Sequence, residues 1–313
     1  MSTQTWAELS TGAFTVAFFA YLFGMLAAFH FLAFRRKTVW AVSVAATGLG
    51  LAAHLLSIVG RGVAAERIPL GNMYEYSLLL SFLVVLAYLV FVEGLARVRT
   101  VGGFVLGFAV ITMAVAVLFL YVGPAPLIPA LNSYWRQVHV SSMIVSSSLL
   151  ALGGVLTVLY LVKERRERRL PPGSPPIMGG AVSLDDAPPH FEGGADEPPA
   201  AVSPARRGWL PPSSTLDRLA YRMIAFGFPI WTFGIITGAI WAESAWGRYW
   251  GWDPKETWSF ITWVVFAGYL HARATSGWKG RRAAIVALVG FASLLVTYYA
   301  VNLWIVGLHS YAT

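Results

Sequence analysis

The sequence predicts an all-α, polytopic membrane protein with about eight transmembrane helices and both termini extracytoplasmic. Hydrophobic residues make up 57% of the 313 residues, and charged residues only 12%. The mean hydropathy of +0.63 is far above that expected for a water-soluble domain. The apolar residues are also gathered into separate stretches of about 20 residues, the length that a helix needs to cross a bilayer. These observations exclude a water-soluble globular fold.

Eight stretches are long enough and apolar enough to cross a membrane as helices. The first is neither preceded by a basic segment nor followed by a small-residue cleavage site, so we interpret it as a retained span and not as a signal peptide. In chain order, the predicted spans cover residues 12–34, 39–60, 74–96, 101–122, 138–161, 217–241, 257–273 and 283–306.

The basic residues indicate how these spans are oriented. If the spans alternate in direction, 18 of the 23 Lys and Arg residues fall on one side of the membrane. Because cytoplasmic connections carry the excess of Lys and Arg, that side is predicted to be cytoplasmic and both termini to lie outside. The net charge of +8 therefore reflects membrane topology, and the basic residues are expected to lie next to anionic lipid headgroups. Nucleic acid is not expected as a partner. The outer side keeps only Arg61, Arg67, Arg136, Arg248 and Lys255.

One segment differs in composition from the rest of the chain. Residues 163–215 open with the charged run KERRERR and continue with clusters of proline, glycine and small residues. This composition is typical of a disordered linker, which the topology places in the cytoplasm. The predicted organisation is a five-span bundle over residues 1–162, the linker, and three spans over residues 216–313. No internal repeat is visible in the sequence.

The chain contains no cysteine. Disulfides, thiolate metal sites and thiol redox chemistry of its own are therefore excluded, and any reaction that involves thiols must receive them from a partner or substrate. The sequence also lacks an HExxH motif, paired carboxylates and a glycine-rich phosphate loop. Hydrolase and nucleotide-binding functions therefore have no support.

Two connections on the outer side end in helix-start signals. Asn72 is followed three residues later by Glu75, and Asp253 by Glu256, with Pro254 at the first helical position. In each pair the first side chain is predicted to cap the helix and the glutamate to reach back to the amide of the capping residue. Capping accounts for these residues but not for the tryptophans that surround Asp253.

The connection before span seven has an unusual density of aromatic residues, since residues 246–258 read WGRYWGWDPKETW. Trp246, Trp250 and Trp252 are predicted to form a flat, polarisable surface suited to a large planar ligand at the membrane edge. The alternative is an ordinary interfacial belt, because tryptophan prefers the headgroup region. The size of the cluster and the histidines that flank it favour ligand binding.

Two histidines are predicted to lie on the same side as this tryptophan-rich loop. His139 falls at the outer start of span five, and His309 falls just past the outer end of span eight. Neutral imidazole is a good axial ligand for haem iron, and one on each face of a flat macrocycle completes a six-coordinate site. Each alone could be an interfacial histidine bonded to a headgroup or the backbone. As a pair around the loop they favour haem ligation.

The other four histidines have simpler explanations. His271, near the inner end of span seven, has the position of a histidine that satisfies helix C-terminal carbonyls beside Arg273. His30 in span one and His54 in span two are predicted to be packing histidines that are satisfied inside the bundle. His190 falls in the predicted linker and is expected to be solvated.

The run WGRYWGWDPKETWSFITW, followed by YLHAR and then by LHSY, resembles the tryptophan-rich WWD motif of haem-handling proteins. It is most similar to the CcsA/ResC family (CcsB in actinobacterial naming), the membrane subunit of the System II cytochrome c synthase. The CcmC and CcmF proteins of System I share the tryptophans but generally lack the WDPKET sequence. The resemblance extends from the NMYE region onward, weakens over span one and fails over the linker.

The resemblance implies roles for individual residues. His139 and His309 would ligate the iron of haem b, and His271 would hold haem transiently on its way through the membrane. A counterpart to His271 is expected in a separate ResB-type (Ccs1-type) partner subunit. From the residues themselves, Arg248 and Lys255, the only basic residues of the loop, are expected either to pair with the haem propionates or to be ordinary solvated interface residues. The remaining residues expected to bind haem are Trp246, Trp250, Trp252 and Asp253.

The implied function is cytochrome c biogenesis at the plasma membrane, with the active face outside. Haem would be positioned for apocytochrome c, whose Cys-x-x-Cys-His thiols add to its vinyl groups, and no side chain of this chain is expected to act as a chemical catalyst. A thiol-reducing thioredoxin-like protein is a further expected partner. Two alternatives stay open: a haem exporter or chaperone that hands haem to a separate ligase, and a structural subunit whose tryptophans form an aromatic belt.

Overall fold

The computed structural model describes residues 2–126, 133–169, 209–305 and 307–309, and every regular element among them is helical. Helix α3 continues into a π-helical segment, Tyr88–Leu95, and α8 continues through the π-helical segment Val296–Ala300 and a last turn, Val301–Trp304. The eight helices are α1 Thr3–Phe34, α2 Lys37–Ala64, α3 Met73–Ala87, α4 Gly102–Phe119, α5 Tyr134–Glu167, α6 Ser213–Trp246, α7 Pro254–Thr275 and α8 Arg281–Leu295.

Each predicted span coincides with one of these helices, so the predicted all-α membrane fold is confirmed. Seven of the helices are long and apolar enough to cross a membrane. The exception is α7, which has 22 residues but carries Lys255, Glu256, His271 and Arg273 along its length. The side of the membrane on which each end lies stays a prediction.

The predicted linker between the five-span and three-span parts of the chain is shorter in the structure than in the prediction. Helix α5 extends to Glu167 and α6 begins at Ser213, so both helices reach into the predicted linker, 163–215. Leu210 is fully buried, and the Trp209 ring lies 4.5 Å from the Arg166 guanidinium. Both ends of the predicted linker therefore belong to the bundle, because Leu210 and Trp209 pack against it. Residues 170–208, which include His190, lie outside the described residues.

The two halves of the chain follow the same order of elements, which the sequence did not reveal. In each half a long antiparallel pair, α1–α2 or α5–α6, is followed by a loop and a shorter pair, α3–α4 or α7–α8. Both loops use the same hydrogen bonds: a glutamate accepts from a glycine amide in the loop and pairs with an arginine eight residues before it. The matching residues are Arg67, Gly71, Asn72 and Glu75 in the first half and Arg248, Gly251, Asp253 and Glu256 in the second.

The first of these loops is fixed by what we call the Glu75 cluster, formed by Arg61, Arg67, Gly71 and Glu75. The Glu75 carboxylate is fully buried and lies 2.9 Å from Arg61 Nε and 2.8 Å from Arg67. It accepts from the Gly71 amide, not from the Asn72 amide as predicted, because the two guanidinium groups hold it there. Asn72 caps α3 as expected, since its side chain accepts from the Glu75 amide at 2.9 Å.

Helices α5 and α6 pack closely enough to bring distant residues together. Ser146 Oγ donates to the Gly227 carbonyl at 2.7 Å, and a Cβ atom at Gly238 would lie only 2.6 Å from the His139 ring. Glycine at these positions therefore lets two helix backbones approach, as in other membrane bundles. The C-terminal end of α6 is thereby held beside the first turns of α5.

Candidate functional site

A cavity opens at the end of the bundle where α5 and α7 begin and where α6 and α8 end. Its volume is about 970 Å³, open mouth included, and His139 and His309 both line it. The wall contains both apolar and charged side chains, so it can contact a ligand that has a flat apolar body and ionised groups.

His139 projects into the cavity from the second turn of α5. Its Nδ1 atom lies 2.7 Å from the carbonyl oxygen of Gly234 on α6. Since a carbonyl oxygen only accepts, Nδ1 carries the proton and donates, which places the ring's lone pair on Nε2. His139 is therefore held in the tautomer that can ligate a metal through Nε2.

His309 is held in the same way by a different acceptor. Its Nδ1 atom lies 2.8 Å from Oδ2 of Asp253, and the amide of Leu308 donates to Oδ1 of the same carboxylate at 2.7 Å. Burial lowers the pKa of His309 despite the opposing effect of Asp253. Because a carboxylate oxygen only accepts, Nδ1 carries the proton, and in the neutral ring the lone pair is then on Nε2. Carboxylate–histidine pairs of this kind orient the ligands of metal sites.

Asp253 combines this contact with helix capping. Its side chain accepts from the Lys255 amide at 3.3 Å, while Glu256 accepts from the Asp253 amide at 3.1 Å, which completes the predicted capping box. Burial of the Asp253 carboxyl group would raise its pKa, but the hydrogen bonds from His309 and Leu308 lower it below its ordinary value. One ionised carboxylate thus fixes both the start of α7 and the imidazole of His309.

Two tryptophans of α6 contact the histidines. The Trp241 ring is stacked on His139 at a centroid distance of 6.2 Å and an interplanar angle of 18°. Trp246 lies 5.0 Å from Trp241 and 4.9 Å from His309. The sequence reasoning missed Trp241 because it was assigned to the membrane stretch of span six. Its spacing from Trp246, five residues further along the same helix, is the signal that could have identified it.

The other two predicted tryptophans, Trp250 and Trp252, differ in whether they line the cavity. Trp250 lines the cavity. Trp252 is 64% exposed, has a positive φ of 58° and contacts Trp250 edge to face at 5.7 Å. Its indole therefore lies outside the cavity, at the side of α7.

The cavity also contains cationic side chains. Lys255 lines it, and its Nζ atom donates to Asn302 Oδ1 at 2.9 Å. Arg136, which the sequence reasoning did not single out, lines it too and donates to the Leu70 carbonyl at 2.7 Å. Arg248 instead lies 3.4 Å from Glu256, outside the set of lining residues. The cations that face a ligand are therefore Lys255 and Arg136.

The structure does not bring His271 to this site. The residue is exposed near the opposite end of α7, where its carbonyl accepts from Thr275 Oγ1 at 2.8 Å. His54 is fully buried with its Nδ1 atom 3.4 Å from the Tyr21 hydroxyl, as expected of a packing histidine, but its Nε2 atom has no hydrogen-bond partner among the described residues, so the prediction that it is satisfied is wrong. His30 is exposed on the bundle surface, with its ring 4.6 Å from Phe34. The prediction that His30 is enclosed is therefore wrong, because its side of α1 faces outward.

The sequence and the fold were compared with those of known proteins. The family model described as "Cytochrome C assembly protein" matches residues 70–309, a range that begins and ends at residues lining the cavity. The "Cytochrome c biogenesis protein CcsA" of Gloeobacter violaceus is 40% identical over 294 residues, covering 83% of this chain and 84% of the relative. The CcsA proteins of Porphyra purpurea and Synechocystis sp. are 40% and 37% identical, and the matches cover 82% and 87% of this chain and 82% and 89% of those relatives.

A solved structure shares the fold. The structure titled "Cytochrome c Heme Lyase CcmF" has a TM-score of 0.66 and 17% sequence identity, and the match covers 96% of this chain and 47% of that one. At this identity the likeness concerns the arrangement of helices alone. The family match and the CcsA relatives, in contrast, cover most of the chain. The chain therefore belongs to the cytochrome c assembly protein family, in which it is of the CcsA type.

Proposed function

We propose that this protein acts in cytochrome c biogenesis by holding haem b in the cavity, with His139 and His309 as the two axial ligands of the iron. A ResB-type membrane subunit would act with it, and the cavity would open on the extracytoplasmic side. The observation that carries the proposal is that both rings line one cavity and both use Nδ1 to reach an acceptor. Each imidazole then presents the nitrogen that ligates iron.

The walls of the cavity suit the rest of the haem molecule. Trp241, Trp246 and Trp250 offer aromatic surface to the macrocycle. Lys255 and Arg136 offer two positive charges for the two propionates. Glu256, the acidic side chain among the described lining residues, is already paired with Arg248 and with two backbone amides. The aromatic surface and the two positive charges therefore both support a dianionic porphyrin as the ligand.

The chemistry that follows belongs to haem and to the incoming polypeptide. Each thiol of an apocytochrome Cys-x-x-Cys-His segment adds across a vinyl group, so that one C–S bond forms and the thiol proton ends on the neighbouring vinyl carbon. This chain has no cysteine, so the sulfur must come from the apocytochrome. The protein contributes positioning, which can supply roughly 7–11 kcal/mol of a reaction barrier.

Replacing Asp253 with asparagine is expected to weaken haem binding by about 10- to 100-fold, the usual effect of losing a group that orients a metal ligand. Asparagine also caps helices, so α7 should still form. Haem titration of the purified variant measures the effect. As a control, Asp217→Asn breaks an ion pair with Arg273 away from the cavity and should leave haem affinity unchanged. Wild-type affinity in D253N would contradict the role given to the carboxylate.

Lys255→Gln is expected to weaken haem binding by about 10- to 150-fold, because a hydrogen bond to a charged group contributes about 1.5–3 kcal/mol. Arg248→Gln is the matched comparison, since its guanidinium faces Glu256 and not the cavity. Its haem affinity should fall less than that of Lys255→Gln, because Glu256 keeps its hydrogen bonds from two backbone amides. Equal losses in both variants, measured by the same titration, would mean that loop charge in general attracts haem and that Lys255 makes no specific contact.

Synthesis of holocytochrome c in a host without its own maturation genes tests the complete proposal. The chain and its ResB-type partner together should produce covalently attached haem, and the chain alone should not. Haem bound by the complex without any covalent product would instead identify a haem exporter or chaperone that serves a separate ligase. A complex that binds no haem would identify a structural subunit and reject the proposal.

A further inference from the structure

The connection between α2 and α3, residues 65–72, forms part of the cavity wall, although it belongs to the first half of the chain. We call it the first loop. Leu70, Gly71 and Asn72 of this loop line the cavity. The two proposed iron ligands come from the second half, so the cavity is built from both halves. The first loop therefore has a place in the site that neither capping nor packing of the first half requires.

The first loop provides a hydrogen-bond acceptor for Arg136, one of the two cations that line the cavity. The Nη1 atom of Arg136 donates to the Leu70 carbonyl at 2.7 Å, and the residue is only 3% exposed. A buried guanidinium has little freedom to move, because its N–H groups must keep acceptors wherever it lies. The position of Leu70 therefore helps to determine where the charge of Arg136 meets a ligand.

The Glu75 cluster fixes the first loop on both sides of Leu70. Arg67 donates to both carboxylate oxygens of Glu75, at 2.8 and 3.0 Å, and to the Ala125 carbonyl at 2.9 Å. Glu75 also accepts from the Gly71 amide at 2.7 Å. The Arg67 guanidinium is packed against Gly71, where a Cβ atom would lie only 2.6 Å from it. Leu70 precedes Gly71 directly, so its carbonyl is held in place by these contacts.

The corresponding loop of the second half, residues 247–253, uses the same arrangement for an iron ligand. Glu256 accepts from a glycine amide of that loop at 2.8 Å and pairs with Arg248. Asp253, at the end of the loop, accepts from His309 at 2.8 Å. Each loop is therefore fixed by a glutamate and an arginine, and each presents one acceptor to a side chain of the cavity. The second-half loop orients an imidazole, and the first loop holds a guanidinium.

We propose that Arg67 and Glu75 are positioning residues of the haem site, which place Arg136 against a haem propionate. They act through the first loop, whose Leu70 carbonyl accepts from Arg136. The inference rests on the function proposed above. It gives the first half of the chain a part in ligand binding, because the charge that meets the propionate comes from α5 and its acceptor from the first loop.

Lys255, the other cation that lines the cavity, is held by different parts of the chain. Its Nζ atom donates to Asn302 Oδ1 in the last helical turn at 2.9 Å and lies 3.9 Å from the Met73 sulfur on α3. Neither of these contacts is with the first loop. The Glu75 cluster should therefore affect the propionate contact of Arg136 and leave that of Lys255 intact.

Arg67→Gln tests the inference, because it loosens the first loop while Glu75 keeps its ion pair with Arg61. Gly71→Ala is the second variant, since its Cβ atom would displace the Arg67 guanidinium without removing a charge. Haemin and haemin dimethyl ester would each be titrated into the haem-free complex of the chain with its ResB-type partner. The ester has the same iron and ring but no carboxylates, so it reports on histidine ligation without any propionate contact.

Both variants should bind haemin about 2- to 30-fold more weakly than the wild type, the effect expected of changes in a coupled network. Their affinity for the ester and their low-spin spectrum should stay unchanged. Arg99→Gln is the matched control, because Arg99 pairs with Glu93 beyond the other end of α3. Equal losses for haemin and ester would overturn the inference, since the loop would then support the cavity as a whole. Unchanged haemin binding in both variants would overturn it as well.

Double-mutant cycles identify the side chain through which Arg67 acts. In the background of Arg136→Gln, Arg67→Gln should weaken haemin binding no further, because the contact that it positions is already absent. In the background of Lys255→Gln, its effect should be retained in full. Independent effects in both backgrounds would reject the link to Arg136. A wild-type complex that binds neither haemin nor the ester would instead reject the proposed function itself.

Discussion

Replacing either His139 or His309 with alanine is expected to abolish the low-spin haem spectrum of the purified protein and the formation of holocytochrome c. A six-coordinate site needs two strong axial ligands, and the structure offers one from each of these residues. Absorption spectra of the protein purified with its partner from haem-replete cells provide the measurement. Added imidazole should restore the spectrum of each variant, because it can occupy the space that the missing side chain leaves.

The exposed His30 provides a control for this experiment. Its ring lies on the surface of α1, away from the cavity, so His30→Ala should keep the complete spectrum. A wild-type spectrum in both His139→Ala and His309→Ala would show that the haem is bound elsewhere. The cavity would then lose its role as the haem site, whatever its shape and charge.

Glu75→Gln is expected to destabilise the protein by about 3–5 kcal/mol, the usual cost of removing one partner from a buried ion pair. Its carboxylate is fully buried between two guanidinium groups whose side chains are only 4% and 12% exposed. Without it, the like charges of Arg61 and Arg67 would remain buried next to each other. Thermal unfolding in detergent, followed by loss of helical signal, would reveal the change.

Two further variants decide the cause of that loss. Glu8→Gln alters an exposed glutamate and should unfold like the wild type. Arg67→Gln combined with Glu75→Gln should be more stable than Glu75→Gln alone, because one of the two uncompensated charges is removed. Equal instability of the single and double variants would contradict the electrostatic explanation of the Glu75 cluster.

The sequence predicts the parts of this structure that depend on local pattern. Long apolar stretches fix the positions of the helices, because every backbone polar group inside a bilayer must be satisfied within the helix. The Asp253–Glu256 capping box was also predictable, since capping depends on residues three apart. Both signals lie within a single element, and neither requires knowledge of how the helices pack.

The parts that were missed depend on contacts between distant segments. Asp253 and His309 are 56 residues apart in the chain, and no periodicity connects them. Trp241 was counted as an apolar residue of span six, although its ring is stacked on His139 from another helix. Trp252 was grouped with the other loop tryptophans, but its positive φ turns it away from the cavity. Side-chain direction at a bend cannot be determined from residue type alone.

The two imidazoles differ in how firmly the chain holds them. His139 belongs to α5, a helix of 34 residues packed along α6, so its backbone position is fixed by helix packing. His309 follows the last helical turn, Val301–Trp304, and is joined to the bundle through Asp253. Breaking hydrogen bonds to one carboxylate is a small rearrangement. In the proposed reaction, His139 is therefore the anchoring ligand and His309 the leaving ligand, whose coordination position the histidine of an arriving polypeptide would take.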